Sequence, residues 1–347
     1  MNIQNSVFFD FLILSYEYGN ENKHLFFYRG QAAMRADMKE TEQSKAAVSV
    51  ICIGQAVVDC ITRGVEGDPL GMGKTRAQSI TLNLGGDAVN ESFVLSSMGR
   101  RAALVCAVGD DLAGRFVANE AARRGLETSG VTVVSGLVTP VANMFVKLDG
   151  SRSSVTSAAS LLPGYTPDPE YVRSCVEKGA RIVSFASLFR APLDRPEVVC
   201  SLVQAAHESG AIVCADTKIP TFRSMSLSDI AAVLPMIDYI FPNDTEAAFL
   251  TGIDGSYEEM AEALLEQGIR HVVIKAGEQG IYAAASESGE RFMLPALKVP
   301  VVDTTGAGDN FVAGFMEGLL RGADFRECCE AGLEAAALSI QHLGATI

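Results

Sequence analysis

The chain has 347 residues, 48% of them hydrophobic and 20% charged, with a net charge of -14. A mean hydropathy of +0.21 and a pI of about 4.8 belong to a globular chain with a large core. The acidic balance and the lack of any Lys/Arg cluster exclude a nucleic-acid binder, so an anionic ligand must be held by backbone amides, metal or a few local cations.

Residues 1–47 read as an N-terminal extension outside the fold, which spans 48–347. The run SVFFDFLILSY is interrupted by Asp10, has no preceding Lys or Arg, and is too short for a membrane span. The stretch from Tyr16 to Lys45 shows no helical or strand periodicity, and Met34 and Met38 are candidate translation starts. VSVICIGQAVVD then forms a nearly continuous apolar run, as in a strand covered on both faces. DAVNESFVLSSMG has helical spacing and closes on Gly99. RAALVCAVG predicts another buried strand and LAGRFVANEAARRG a helix. Further strands are predicted at ARIVSFASLF, AIVCAD, DYIFPND and HVVIKAG. Helices are predicted at PEVVCSLVQAAHESG, SDIAAVLPMI, YEEMAEALLEQG and DFRECCEAGLEAAALSIQHLG. This alternation predicts an α/β fold with a central, mostly parallel β-sheet covered by helices on both faces. Residues 60–84 and 131–158 are turn-rich and alternating, with KLDGSR as a hairpin turn, and predict a small β layer standing off the main sheet as a lid. The 8 cysteines form no CxxC and most lie in apolar runs, which predicts buried, reduced thiols in a cytoplasmic protein.

GMGKT at Gly71–Thr75 imitates a phosphate loop, but Asp68 stands where the first glycine belongs. ICIGQAVVD has no GxGxxG. PVVDTTGAGDNFVAGF, from Pro300 to Phe315, says more. It joins a strand-like run, a turn of small residues, Asp309 and a helix-like run. Gly306, Ala307 and Gly308 let backbone approach a ligand closely, and the first-turn amides could cradle a phosphoryl group. Asp309 either favours the helix dipole as an N-terminal carboxylate or stands beside that group and does chemistry. Taken alone, the stretch leaves both open.

That stretch resembles the C-terminal signature of the ribokinase-like, or PfkB, family of carbohydrate kinases. LNLGGDAVNESFVLSSMG (Leu82–Gly99) resembles the family's N-terminal signature. FPNDTE (Phe241–Glu246) is similar to its N-x-x-E motif, and KAGEQG (Lys275–Gly280) to its nucleotide-side glycine turn. The motifs stand in the family's order between Val48 and the end of the chain. The resemblance implies a ribokinase-like fold and a kinase that uses ATP and Mg2+ to phosphorylate a hydroxyl on a small sugar or sugar acid. It implies Asp309 as general base, with Gly306, Ala307, Gly308 and the Asp309 amide as the anion hole. Asn243 and Glu246 would organise Mg2+ through water. Asn243, Lys275, Gly277, Gly280 and Thr305 would lie along the nucleotide, and Asp59, Gly85, Gly86, Asn90 and Arg152 would hold the sugar. Each also has a structural reading: Glu246 as a first-turn residue, Gly277–Gly280 as a hairpin turn, Asp59 as a strand-end cap. A helix N-terminus is expected to lower the Asp309 pKa.

The turn-rich segments match the family's lid, and lid pairing implies a homodimer. Asp87 departs from the Lys that ribokinases commonly carry there, and Lys218 in DTKIP is a candidate partner of a phosphate or of a carboxylate. The chain stops at QHLGATI where relatives continue, which leaves K+ activation open. The alternatives are a nucleoside kinase and a non-catalytic sugar or nucleotide sensor on the same scaffold. Neither a membrane nor a nucleic acid is an expected partner.

Overall fold

Apolar runs broken by glycine, proline and aspartate divide the chain into short elements. The computed structural model describes the strands Phe11–Tyr18 (β1) and Glu21–Tyr28 (β2), then residues 47–65, 76–147, 152–157, 162, 164–342 and 344–345. β1 and β2 pair antiparallel, with Tyr18 opposite Glu21. The part of this pair from Tyr16 onward falls in the stretch expected to be aperiodic, and its signal is the aromatic-rich run HLFFY.

Val50–Ile53 (β3) is buried at every residue and runs through Gly54 into Val57–Arg63 (β4). Ser79–Gly85 (β5) returns antiparallel along β4. Asp87–Ser97 (α1) leads to Ala102–Gly109 (β6), again wholly buried. Leu112–Arg123 (α2) begins at Asp111, whose side chain accepts from the Gly114 amide. Val131–Val134 (β7), Val141–Val146 (β8) and Arg152–Thr156 (β9) follow. Pro169–Glu177 (α3) carries proline in its first turn, where a missing N–H costs nothing. Then come Ile182–Leu188 (β10), Pro196–Glu208 (α4) and Ile212–Thr217 (β11). SDIAAVLPMI, expected as an α-helix, lies in the 3-10 stretch Leu227–Met236, which contains Pro235. The rest comprises Tyr239–Phe241 (β12), Asp244–Thr251 (α5), Tyr257–Leu265 (α6), His271–Lys275 (β13), Ile281–Ala285 (β14), Arg291–Leu294 (β15), Ala307–Arg321 (α7) and Phe325–Ser339 (α8).

The large sheet has the order β15-β14-β13-β12-β11-β10-β3-β6-β7. Its strands are parallel from β13 to β7, and β14 and β15 add an antiparallel edge. β5-β4-β8-β9 form a separate four-stranded sheet. Val131–Val134, expected in that small layer, instead pairs with β6 at the edge of the main sheet. Its half-exposed alternation fits either sheet, so the pattern alone could not assign it. β8 and β9 pair antiparallel, but the KLDGSR turn between them, like GMGKT, lies outside the described residues.

Starting from β3, the chain winds through β6 to β7 and then returns to β10 on the other side. The strand order reverses between β3 and β10, and ligands of such sheets bind beyond the strands' C-terminal ends at that point. Phe315 on α7 packs against Tyr239, Phe241, Phe311 and Phe325, with ring centroids 4.9–6.4 Å away. The 8 cysteines are free thiols, with Cys60 and Cys200 half-buried and the others buried. Among the described residues no helix is long and apolar enough to cross a membrane. Phe315→Ala should cost roughly 3–5 kcal/mol of stability, read as a lowered denaturation midpoint.

Candidate active site

The C-terminal ends of β3, β10, β11, β12 and β13 surround the N-termini of α1 and α7. The turn into α7 is tied down first. Asp303 accepts from the Thr305 amide (2.9 Å) and hydroxyl (2.7 Å) and from the Gly344 amide (3.0 Å). Gly306 has φ +73°, and a Cβ there would lie 2.5 Å from the Ala345 side chain. Asn310 Nδ2 donates to the Gly306 carbonyl (2.8 Å) and the Ala345 carbonyl (2.6 Å). The Ala307 amide is spent on Thr304 (3.3 Å), whereas Gly308 and Asp309 carry amides of the first helical turn. Of the backbone amides expected to form an anion hole over Gly306–Asp309, that of Ala307 is thus already paired within the turn.

Asp309 is only 4% exposed. Its Oδ2 accepts from Asn90 Nδ2 at 2.6 Å, and its Oδ1 lies 3.9 Å from Lys218 Nζ. Burial pushes its carboxyl up to about 7; the Asp87 carboxylate adds to the rise and Lys218 opposes it. Desolvation thus outweighs the helix dipole, contrary to the lowered pKa expected from the sequence.

Gly85 and Gly86 deliver the chain into α1 against Asp59. A Cβ on Gly85 would stand 2.1 Å from Asp59 Oδ2. Burial, then the Asp87 carboxylate, raises Asp59 to about 6. Asp87 accepts from Ser187 Oγ at 2.7 Å and lies 3.7 Å from Lys218. Asn90, expected on the sugar side, touches Asp309 directly, and its buried Oδ1 has no hydrogen-bond partner. Glu91 is wholly buried; Ser184 Oγ donates to one oxygen at 2.6 Å, and the other oxygen has no partner. Burial pushes its carboxyl well above the usual range, aided by Asp216, Asp309 and Asp87.

On the opposite side, Asn243 and Glu246 form a reciprocal cap on α5. The Glu246 amide donates to Asn243 Oδ1 (2.8 Å), and the Asn243 amide donates to Glu246 Oε2 (2.9 Å). Thr217 Oγ1 donates to the same Glu246 oxygen at 3.1 Å. Burial raises the Glu246 pKa while Lys275 lowers it. Lys275 is ion-paired with the fully buried Asp216, and its Nζ lies 3.3 Å from where a Cβ on Gly308 would be. Gly308 leaves that space to the ammonium. Gly277 and Gly280 flank the tight turn between β13 and β14 with positive φ. Arg152 opens β9, but its side chain lies outside the described residues.

Asp309, Asn90, Lys275, Gly308 and Glu246 are thus gathered around one group of strand ends and helix starts. Asp216 and Glu91 were not singled out from the sequence. Asp216 ends the apolar strand IVCADT two positions before Lys218, which was a usable signal. Glu91 sits in a helical run whose local pattern gives no sign of a buried carboxylate. Among the described residues no group of three His, Cys, Asp or Glu side chains could hold a metal unaided. The hard-oxygen donors Glu246 and Asn243 suit Mg2+ bound mostly by phosphate and water.

Asp309 also has a stability consequence. Its folded pKa of about 7 exceeds the ordinary 3.8, so its contribution is intact below the lower value and lost as pH rises through the higher one. Asp309→Asn should therefore melt above the wild type by roughly 5 °C at pH 8, and the gap should close toward pH 4 in thermal scans.

The chain is similar to proteins of known family and fold. Residues 47–347 match the model of the pfkB family carbohydrate kinases. A ribokinase of Haemophilus influenzae is 28% identical over 272 residues, covering 77% of this chain and 84% of that protein. Fructokinase-1 of Zea mays is 26% identical over 282 residues, covering 78% and 83%. The solved ribokinase of Thermotoga maritima superposes with a TM-score of 0.70 at 23% identity, covering 86% of this chain and 94% of that one. Arabidopsis thaliana ribokinase, solved with ribose and ATP, gives 0.72 at 22% identity, covering 86% and 95%.

Proposed function

The chain belongs to the pfkB family of carbohydrate kinases, and on that premise we propose a reaction for its buried Asp309. The protein is a sugar kinase, a phosphotransferase with an alcohol group as acceptor. Asp309 acts as general base, taking the proton of a hydroxyl on a small sugar or sugar acid as that oxygen attacks the γ-phosphorus of ATP. The observation that carries this reading is the set of groups on Asp309. It is buried at the start of α7, held by Asn90, and adjoins free first-turn amides and the ammonium of Lys218.

Phosphoryl transfer asks a protein mainly for positioning and charge stabilisation. The amides of Gly308 and Asp309 receive the phosphoryl oxygens. The spare Oδ1 of Asn90 accepts a substrate hydroxyl, with Asp59, Gly85 and Gly86 closing the sugar side. Lys275, Gly277, Gly280 and Thr305 border the nucleotide. Mg2+, held by phosphates and by Glu246 and Asn243 through water, would supply further charge neutralisation. Asp309 does not need to be a strong base, because the hydroxyl proton leaves late in a loose transition state.

The sheet β5-β4-β8-β9 serves as a lid that excludes water, a competing acceptor. Ile80, Leu82 and Val155 are more than half exposed on it, and this supports pairing with a second copy.

The test is ADP release from MgATP by purified protein. The panel is ribose, fructose, 2-keto-3-deoxygluconate, inositol, adenosine, pseudouridine and fructose 6-phosphate, with and without K+. One compound should raise turnover far above the water-only background. Asp309→Asn should then lose about 10²–10⁴-fold in turnover while still binding MgATP. In the wild type kcat/KM should fall as pH drops through about 7, because protonation of Asp309 removes the base. Near-normal turnover of Asp309→Asn would sink the assignment. A flat panel with a sugar nonetheless bound in calorimetry would favour a sensor.

A further inference from the structure

We propose that Lys218 is a catalytic residue of this site, its ammonium meeting the phosphoryl group as it passes from ATP to the acceptor hydroxyl. The inference rests on the phosphotransfer reading above and adds a residue to it. Lys218 directly follows β11, at the C-terminal edge of the sheet. Its Nζ hangs among three carboxylates: Asp216 at 3.3 Å, Asp87 at 3.7 Å and Asp309 at 3.9 Å. A committed ammonium–carboxylate pair closes to about 2.8 Å. Lys218 donates one long hydrogen bond, to Asp216 Oδ2 at 3.3 Å, and stands at ion-pair distance only from Asp87 and Asp309, so N–H donors remain for a ligand.

The carboxylates do not need Lys218 for their own satisfaction. Asp216 is already paired with Lys275, Asp87 accepts from Ser187, and Asp309 accepts from Asn90. A purely structural ion pair therefore accounts poorly for a lysine at this point. About a quarter of its side chain is exposed, 25%, so a ligand can reach it. Lys275 stands against Gly308, so Lys218 and Lys275 share Asp216 and adjoin the Gly308–Asp309 step. Carboxylates at Asp87, Asp216, Asp309 and Glu246 would otherwise repel the negative charge spread over the phosphoryl oxygens. A preorganised cation beside the base offsets that repulsion without reorganising during the reaction.

The step balances without a covalent role for the lysine. The acceptor oxygen bonds to the γ-phosphorus, and its proton goes to Asp309. The bond from the γ-phosphorus to the bridging oxygen breaks, and its electron pair leaves with ADP. Lys218 makes and breaks no bond and keeps its protons.

The charged and titratable groups facing Asp309 are Asp87 and Glu91 from α1, Asp216 and Lys218 from the end of β11, and Lys275 from β13. Without Lys218 the carboxylates prevail, and Asp309 becomes harder to ionise.

The first probe is MgADP with aluminium fluoride, a mimic of the phosphoryl group in transfer, titrated into full-length protein by calorimetry. Lys218→Met should lose at least about tenfold in affinity for this complex while its affinity for MgADP alone stays within about twofold. Lys218→Arg should recover most of the loss. Lys218→Gln provides the same comparison should the Met variant fail to fold. With an acceptor from the panel above, Lys218→Met should lose about 10²-fold in kcat with little change in the KM for ATP. The acid limb of its kcat/KM profile should move up by about one pH unit, and Lys218→Arg should leave that limb in place. Equal loss of both affinities, or an unmoved acid limb, makes Lys218 a structural ion pair and overturns the proposal. A wild type that binds no MgADP overturns the phosphotransfer reading itself, and the lysine assignment falls with it.

Discussion

A carboxylate buried at the start of a helix governs the rest of the site. Asp309 is almost out of water and receives one close hydrogen bond, from Asn90. Desolvation works against its charge, the helix terminus and Lys218 work for it, and desolvation prevails. Holding the group there requires α7 to begin within reach of α1 and of the end of β11. The strand-order reversal between β3 and β10 provides that meeting place. The left-handed Gly306, clamped by Asn310 and Ala345, then fixes the direction in which α7 starts.

How readily this could be read from the sequence differed by element. Wholly buried strands such as VICI and AALVCAVG were plain, because a strand covered on both faces has no polar positions to blur it. The turn TGAGD was plain for another reason: few contexts other than close backbone approach favour such small residues before an aspartate. Edge elements were less legible. VTVV alternates equally well at the rim of the main sheet or in the small sheet, and only its pairing with β6 decides between them. The β1–β2 pair was overlooked because its strands do not alternate strictly.

Within the site, single residues were legible and their pairings were not. Asp87 and Lys218 each read as an oddity, and they are 131 positions apart in the numbering, 87 against 218. Only the fold brings their charges to 3.7 Å. Asp216 is the same case, since a strand-end aspartate gives no hint that it will be buried between two lysines. The Asp309 pKa was misjudged because a helix start is a local feature of the sequence, whereas desolvation depends on what the whole fold packs above it.

The chain carries a large negative charge, yet a kinase of this family must receive a nucleotide that is itself negative. The structure meets this by neutralising charges singly. Asp216 is shared by Lys218 and Lys275. Glu91, one residue from Asn90, has its carboxyl pushed well up by burial, which favours the protonated form and keeps a further charge from Asp309. Two of the four buried side-chain polar atoms without partners among the described residues, Asn90 Oδ1 and Glu91 Oε1, lie on the same turn of α1. Such atoms cost free energy when left unpaired, and the substrate hydroxyl that the proposed reaction places on Asn90 Oδ1 would recover part of that cost.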